Sequence, residues 1–274
     1  MSRLRRVYFG LRQEISWGFR ELTHGRFWWT FNVVGYRVLA LSPQLARTWG
    51  APESPRRFHL RTREGIRLTY RAHRGDIQSI REIFIDEIYR LPEGCAPRSL
   101  VDLGANIGVA TIWIACTYDI SDIVCVEPLD MNVSLLRANL RLNGRDATVL
   151  VSAVGVAAGT ARFSLEDAAN MGRVADTGFD VPVGSINDVV SLVSESPALL
   201  KMDIEGMEGP LVCDTDGAWI DRFDFLVTEL HPEYVDLNEV IARITQRGYD
   251  YTPSNEVTRG AYRMKRERLF VRRS

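Results

Sequence analysis

Hydrophobic positions along the chain predict an alternation of buried strands and amphipathic helices. The run Leu100–Leu103 is largely apolar and favours a strand that is covered on both faces. Gly104 and Gly108 follow it, and the apolar run 109–115 after them is long enough for a helix. A strand, a glycine turn and a helix in that order are typical of the nucleotide-type site in a doubly wound α/β sheet.

The same pattern continues to the end of the chain and predicts a sheet of about seven strands. The further strands are expected at 122–126, 147–151, 198–203, 223–229, 249–251 and 268–271. The last two are expected to form an antiparallel hairpin on the edge of the sheet. Residues 155–182 are rich in small and polar residues, so we expect turns there, with one short strand at 161–165.

The pattern of hydrophobic and polar positions divides the chain into three regions. Residues 1–57 predict a helical extension rich in arginine and aromatic residues. Residues 58–97 predict a β-hairpin and a helix, with Asp76 as the N-cap of that helix. Residues 98–274 form the α/β core.

Charge divides the chain unevenly. Residues 1–74 contain 15 Arg and 4 Glu, whereas the other 200 residues contain 19 Lys and Arg against 31 Asp and Glu. A basic leader on an acidic body is typical either of an anionic partner or of docking between parts or subunits, including a homodimer through the extension. We favour docking.

An acidic residue at the end of the second strand bears on the kind of site. Glu127 follows Gly108 by 19 residues and precedes Pro128. A carboxylate at about this distance commonly holds a ribose diol, although a surface glutamate before a helix would look the same. The spacing G-x-x-x-G differs from the G-x-G-x-x-G of dinucleotide sites, which disfavours a dehydrogenase.

Two motifs resemble a known family. V-D-L-G-A-N-I-G with C-V-E-P downstream resembles the class I S-adenosylmethionine (SAM) methyltransferases, and L-K-M-D-I-E-G-M-E at 200–208 is similar to the signature of the FkbM type. The resemblance covers roughly residues 65–235. It implies a Rossmann-like fold, SAM as cofactor, and methylation of a hydroxyl on a sugar or other natural-product intermediate. It also implies that the region 58–97 covers the cofactor pocket.

The resemblance further implies which residues bind SAM. They lie at the ends of the first strands and after the fourth, and are Asp102, Gly104, Asn106, Gly108, Glu127, Pro128, Ser152, Ala153 and Asp203. Ser152 and Ala153 would lie beside the adenine, or could simply end a strand.

Acids and an imidazole follow the fourth and fifth strands. Asp203 and Glu205 follow one strand, while Glu229 and His231 follow the other, and these two strand ends should meet beside the first. Methylating a hydroxyl needs its proton removed, so His231 is the candidate general base, Asp203 a rival, and Glu229 a further catalytic acid.

Other residues near this point have weaker assignments. Glu205, Lys201 and Arg173 are candidates for substrate binding. An ion pair with the acids is an equal alternative for Lys201, and a solvated loop is favoured for Asn170, Met171 and Arg173.

A divalent cation is the alternative to a protein base. Asp203, Glu229 and His231 offer oxygen and nitrogen ligands that suit Mg²⁺, and a bound cation would lower the pKa of a hydroxyl. The sequence contains no compact ligand motif that requires one.

Two other functions remain open on the sequence. The basic leader suits a nucleic-acid methyltransferase, but the motifs for methylating base amino groups or cytosine carbon are absent, so we expect no nucleic-acid partner. A catalytically silent SAM-binding scaffold is disfavoured by the acids and imidazole. Cys95, Cys116, Cys125 and Cys213 lack metal-type spacing, and no signal peptide or membrane span is evident, which predicts a cytoplasmic protein.

Overall fold

The computed structural model describes residues 3–39, 56–72, 74–165, 172–174, 178–232, 234–253 and 267–273. The α-helices are α1 Arg3–Glu21, α2 Arg26–Leu39, α3 Arg74–Phe84, α4 Val109–Thr117, α5 Asp130–Leu142, α6 Ile186–Val190, α7 Glu208–Cys213 and α8 Leu237–Gln246. The strands are β1 Leu22–His24, β2 Arg57–Thr62, β3 Arg67–Arg71, β4 Ser99–Leu103, β5 Asp122–Val126, β6 Thr148–Leu150, β7 Ala153–Gly155, β8 Gly159–Leu165, β9 Gly172–Val174, β10 Phe179–Ser185, β11 Ala198–Met202, β12 Phe225–Glu229, β13 Tyr249–Pro253 and β14 Glu267–Arg272.

The central sheet has seven strands in the order β13-β14-β12-β11-β4-β5-β6. Strands β4, β5, β6, β11 and β12 are parallel, while β14 runs antiparallel to both β12 and β13. This confirms the doubly wound α/β fold of class I methyltransferases and the edge hairpin. The strand order reverses between β4 and β11, so the loops after these two strands border the crevice where such sheets bind ligands.

A second sheet replaces the turns expected over 155–182. Its four strands lie in the order β7-β10-β8-β9, and β10 pairs with β7 in parallel and with β8 in antiparallel register. Phe163 and Val181 are buried in this sheet, where they pack with Leu129. The pattern missed β10 because Pro182 lies in it, and proline usually argues against a strand.

The N-terminal extension is joined to the next region through a shared sheet. Strand β1 pairs with β2, which pairs with β3, so the boundary at residue 57 falls inside one three-stranded unit. Trp17 and Trp29 are buried and pack edge to face, and Glu14 forms a buried ion pair with Arg81 of α3. No described helix has the length and hydrophobicity needed to cross a bilayer.

The hairpin β2–β3 braces a helix of the core. Asn139 of α5 accepts a hydrogen bond from the backbone N–H of Thr69 at 2.7 Å and donates one to the Thr69 carbonyl at 3.1 Å. Asp76 does not cap α3 as expected. The helix begins at Arg74, and the Asp76 carboxylate instead accepts hydrogen bonds from Arg71.

Candidate active site

One cleft lies at the carboxyl ends of the central strands. The loops after β4, β5, β11 and β12 form one side of it, and α3 with the segment after it forms another. Eleven residues assigned to the site from the sequence line it: Gly104, Asn106, Glu127, Pro128, Ser152, Ala153, Lys201, Asp203, Glu205, Glu229 and His231. The structure therefore brings the two motifs together around one space.

Two assigned residues do not line this cleft. Asp102 is fully buried behind it, and Gly108 packs under Leu136 at the start of α4. The backbone of Arg173 lies in β9 opposite Ser164, instead of in a loop. The side chain of Arg173, and the whole of Asn170 and Met171, lie outside the described residues.

The glycine turn brings two strand ends close together. Gly104 has φ +78°, and a Cβ on it would lie 2.0 Å from the backbone oxygen of Asp203. Its N–H and that of Ala105 both donate to the Val126 carbonyl at 3.0 Å. The turn after β4 is therefore packed between the ends of β5 and β11, an arrangement that only glycine permits.

Glu127 is fixed at the end of β5 by three donors. Its Oε2 accepts from the Asn106 N–H at 2.9 Å, and its Oε1 accepts from the Leu129 N–H at 3.0 Å and from Asn132 Nδ2 at 3.1 Å. Burial raises the pKa of this carboxyl, while the hydrogen bonds lower it in part. Three of the four lone-pair sites of the carboxylate are therefore occupied, and Oε2 keeps capacity for one further donor, such as a ribose hydroxyl.

A buried network connects Glu127 to the region that covers the cleft. Arg71 Nη2 donates to Asn132 Oδ1 at 3.0 Å and to Asp76 Oδ1 at 2.7 Å, and Arg71 Nε donates to Asp76 Oδ2 at 2.9 Å. Asn132 then donates to Glu127. Buried, charge-assisted hydrogen bonds thus connect strand β3 and helix α3 to Glu127.

Lys201 is occupied by the protein itself. Its Nζ lies 3.0 Å from Asp102 Oδ1, and it donates to the carbonyls of Gly104 at 2.8 Å and Leu103 at 3.3 Å. Burial lowers the Lys201 pKa, but the negative charges of Asp102 and Asp203 raise it by more, so the net shift is upward. Three acceptors match the three donors of an ammonium group, which favours the ion-pair interpretation over substrate binding.

The signature at 200–208 folds into a tight turn held by its last residue. Glu205 has φ 52° and Gly206 φ 104°, so the chain reverses at these two residues. Glu208, fully buried, accepts hydrogen bonds from the N–H groups of Ile204 at 3.0 Å and Gly206 at 2.8 Å. The turn directs Asp203 and Glu205 into the cleft while the glutamate behind them fixes the backbone.

Glu208 also orients His231, a role that the sequence did not reveal. His231 Nδ1 lies 3.2 Å from Glu208 Oε1. The other ring nitrogen, Nε2, lies 3.3 Å from Glu205 Oε2, 3.7 Å from Glu229 Oε1 and 4.0 Å from Asp203 Oδ1. The ring is therefore fixed by one carboxylate and presents its second nitrogen to three others.

These carboxylates change the proton affinity of the site. Burial lowers the pKa of His231, but the hydrogen bond to Glu208 and the charges of Asp203, Glu208 and Glu205 outweigh it and raise that pKa. Burial raises the pKa of Asp203, offset in part by Lys201 and His231. The pKa values of both groups are therefore raised above their ordinary values, as is common for groups in functional sites.

The atoms that could hold a cation differ from the expected set. Asp203, Glu205 and His231 each offer a ligand atom, and these atoms lie within 4.8 Å of one another. Glu205 is the third member of this group, whereas Glu229 is the third ligand predicted from the sequence. The Nε2–Glu205 distance of 3.3 Å is also that of an ordinary hydrogen bond or ion pair.

Helix α3 contributes side chains that the sequence did not identify individually. Gln78, Ser79 and Glu82 line the cleft from α3, and Tyr89 lines it from the segment that follows. Only their spacing on one helix face could have suggested them. Helix α3 thus lies along the cleft, whereas no residue of the hairpin β2–β3, which is described throughout, lines it, and the hairpin instead braces α5.

Residues 102–251 match the profile of the methyltransferase FkbM domain, which spans the glycine turn, Glu127, the signature and His231. The chain belongs to the FkbM methyltransferase family. Membership implies SAM as the methyl donor. The match begins at the end of β4 and includes β5, β11 and β12, whose carboxyl ends border the cleft.

Individual relatives are distant. Methyltransferase 1 of Beauveria bassiana (strain ARSEF 2860) is 25% identical over 196 residues, which cover 62% of this chain and 79% of that protein. Methyltransferase FkbM from Methylobacillus flagellatus KT is 15% identical, with a TM-score of 0.48 over 98% of this chain and 59% of that one. A methyltransferase from Geobacter sulfurreducens is 19% identical, with a TM-score of 0.35 over 65% of this chain and 72% of that one. The chain thus spans little more than half of the Methylobacillus protein.

Proposed function

We propose that this protein is a SAM-dependent O-methyltransferase that acts on a hydroxyl of a small molecule, such as a sugar or another natural-product intermediate. The observation that carries the proposal is His231, held through Nδ1 by Glu208 while Nε2 faces the cleft acids. An imidazole that is held through one ring nitrogen and directs the other into the cleft is the arrangement expected of a general base.

The residues of the cleft fit SAM. Asn106 Oδ1 is buried and has no hydrogen-bond partner among the described residues, so it is available to a ligand. Glu127 suits the ribose diol, and Ser152 and Ala153 lie where an adenine would follow. The acids of the cleft suit the positive charge of a sulfonium and an amino group. When bound, SAM supplies an electrophilic methyl group.

The chain's own residues would handle the acceptor proton. His231 Nε2 takes the proton from the acceptor hydroxyl as the oxygen attacks, and the nearby carboxylates stabilise the imidazolium that forms. Asp203 orients the hydroxyl, or removes the proton itself through its raised pKa. Glu205 and Glu229 line the same space and are assigned to acceptor binding and to charge stabilisation.

A divalent cation is the alternative within the same reaction. The grouping of Asp203, Glu205 and His231 supports it, and a cation there would activate the hydroxyl without a protein base. Methyl transfer that is abolished by a chelator and restored by Mg²⁺ would select the cation. Transfer that is unchanged by the chelator but lost in His231→Gln would select the base.

The reaction itself is tested with SAM and a panel of sugars, glycosides and other hydroxylated compounds, by following formation of the demethylated cofactor. We expect product with at least one hydroxylated acceptor and a loss of about 10²–10⁴-fold in His231→Gln. Exposed Glu195 provides the matched control, Glu195→Gln, which should retain full activity. Transfer to a nucleic-acid duplex but to no small acceptor would contradict the proposal.

The free thiols of all four cysteines support a cytoplasmic site of action.

A further inference from the structure

Helix α2 is apolar on the face that it exposes as well as on the face that it buries. Trp29 and Val33 are fully buried against the rest of the extension. The other side exposes Phe27 (71%), Trp28 (47%), Phe31 (45%) and Val34 (36%). A surface helix normally carries polar residues there, and exposed apolar area of this kind marks an interaction site.

The exposed aromatic rings form one continuous surface. The Trp28 ring lies 5.3 Å from Phe27, 6.0 Å from Phe31 and 5.3 Å from Phe58 of the hairpin, measured between ring centroids. At helical spacing, positions 27, 31 and 34 fall on one stripe. We call Phe27, Trp28, Phe31 and Val34 the α2 stripe.

Helix α1 adds aromatic and basic residues beside it. Tyr8, Phe9 and Phe19 are exposed on α1, interleaved at helical spacing with exposed Arg12 and Arg20. The guanidinium of Arg26, at the start of α2, lies 5.7 Å from the Phe19 ring and so connects the two exposed faces.

Acidic residues do not offset this positive charge. In the described part of α1 and α2, Glu14 is buried and paired with Arg81, and Glu21 is the last residue of α1. The surrounding residues 1–74 contain 15 Arg against 4 Glu. The surface is therefore apolar, aromatic and positively charged.

We propose that the α2 stripe and the neighbouring face of α1 dock this enzyme on an anionic lipid surface. Helices that lie in a membrane interface combine tryptophan, phenylalanine and aliphatic residues with arginine, so that the rings enter the headgroup region while the cations contact acidic headgroups. The interleaving of Arg12 and Arg20 with Tyr8, Phe9 and Phe19 provides that combination. The proposal does not depend on the methyl-transfer reaction.

Other occupants fit these residues less well. A symmetric contact with a second copy, the homodimer expected of this extension, would place two arginine-rich faces against each other. A nucleic-acid duplex would pair its phosphates with the arginines but would leave the α2 stripe without an apolar surface to pack against. Charge complementarity and the apolar stripe together are met by an anionic membrane.

The test is sedimentation of the full chain with vesicles of phosphatidylcholine alone and of phosphatidylcholine with phosphatidylglycerol. We expect binding to the anionic vesicles that is at least about tenfold tighter than to the neutral ones and that weakens with salt. The triple variant Phe27→Ser, Trp28→Ser, Phe31→Ser and the double variant Arg12→Glu, Arg20→Glu should each weaken it by about tenfold or more. Leu142→Ser and Leu192→Ser, which change exposed apolar residues elsewhere, are matched controls and should bind like the unaltered protein.

Direct contact is measured by the fluorescence of Trp28, obtained as the difference between the unaltered protein and Trp28→Phe. Quenching by brominated acyl chains in anionic vesicles would support the proposal. The absence of binding to anionic vesicles would overturn it. So would a dimer in light scattering that the triple variant dissociates, or binding to a duplex but to no vesicle. Thermal unfolding of each variant shows whether it is folded. A variant that loses vesicle binding but binds SAM like the unaltered protein would show that the loss does not come from the cofactor site.

Discussion

Gly104 illustrates how a single backbone position sets the geometry of the cleft. Its φ of +78° places it in the left-handed region, and the Asp203 carbonyl occupies the space where a side chain would begin. The glycine turn after β4 and the loop after β11, which bears the proposed catalytic acid Asp203, therefore approach each other only because Gly104 has no side chain.

Gly104→Ala should consequently destabilise the protein by roughly 2–5 kcal/mol, through left-handed strain together with the overlap with the Asp203 carbonyl. Gly144→Ala is the matched control. Gly144 has φ +62° and nothing within 4 Å of a Cβ, so only the strain of about 1 kcal/mol should appear. Urea unfolding of both variants measures the difference, and equal losses would show that the close approach does not matter.

His231 should titrate above its ordinary pKa of 6.5, because Asp203, Glu205, Glu208 and Glu229 all face its ring. Glu205→Gln removes one of these charges and should lower the His231 pKa. Proton NMR, with the signal assigned through His231→Gln, follows both titrations, and Glu195→Gln should leave the pKa unchanged. A His231 pKa at or below 6.5 in the unaltered protein would contradict the assignment.

The upward shift of the His231 pKa also predicts two pH dependences. Because the folded pKa is raised, protonated His231 contributes stability that is complete below 6.5 and is lost as the pH rises through the folded pKa. A general base must be unprotonated, so catalysis by His231 Nε2 has the opposite dependence. Methyl transfer should increase as the pH rises through the same pKa, and His231→Gln should not show this increase.

The candidate residues were predictable where the chemistry lies in local motifs. Asp203, Glu205, Glu229 and His231 follow strands whose carboxyl ends must meet, so the sequence predicted their proximity. Glu208 was missed because it begins helix α7 instead of ending a strand, and its contact with His231 spans 23 positions along the chain. No periodicity encodes such a contact.

At the scale of elements, the covering region is held to the core by buried charge. Arg71 on β3 binds Asp76 on α3 and Asn132 on α5, and Asn132 binds Glu127 at the cleft. Strand β3 and helix α3 were predicted from alternation and helical spacing. The link between them was not, because Asp76 was read as a local cap.

Arg71→Met should therefore cost about 3–5 kcal/mol of unfolding free energy, since it leaves the buried Asp76 carboxylate without its cation. Arg90→Met provides the contrast. It removes an ion pair with Glu87 in which both side chains are about half exposed, and should cost about 0–1 kcal/mol. Chemical denaturation compares the two, and similar costs would show that the buried network does not anchor the covering region.

At the scale of the whole molecule, the hydrophobic pattern predicted the main sheet better than the second one. Buried parallel strands such as β4 and β11 are short apolar runs, and their order followed from the resemblance to the family. The four-stranded sheet around Phe163 and Val181 was missed, since its strands are short, contain glycine and proline, and are defined by pairing between distant segments. Strand β1 was also missed, because it has only three residues and lies between two helices.

Binding of SAM in the cleft should depend on Glu127. Calorimetric titration with SAM and its demethylated product tests this most directly, on the unaltered protein, on Glu127→Ala and on the exposed control Glu195→Gln, with thermal unfolding to show that each is folded. We expect saturable binding that Glu127→Ala weakens by at least about tenfold and Glu195→Gln leaves unchanged. Well-folded protein that binds neither compound, or binding that is equal in all three proteins, would contradict it.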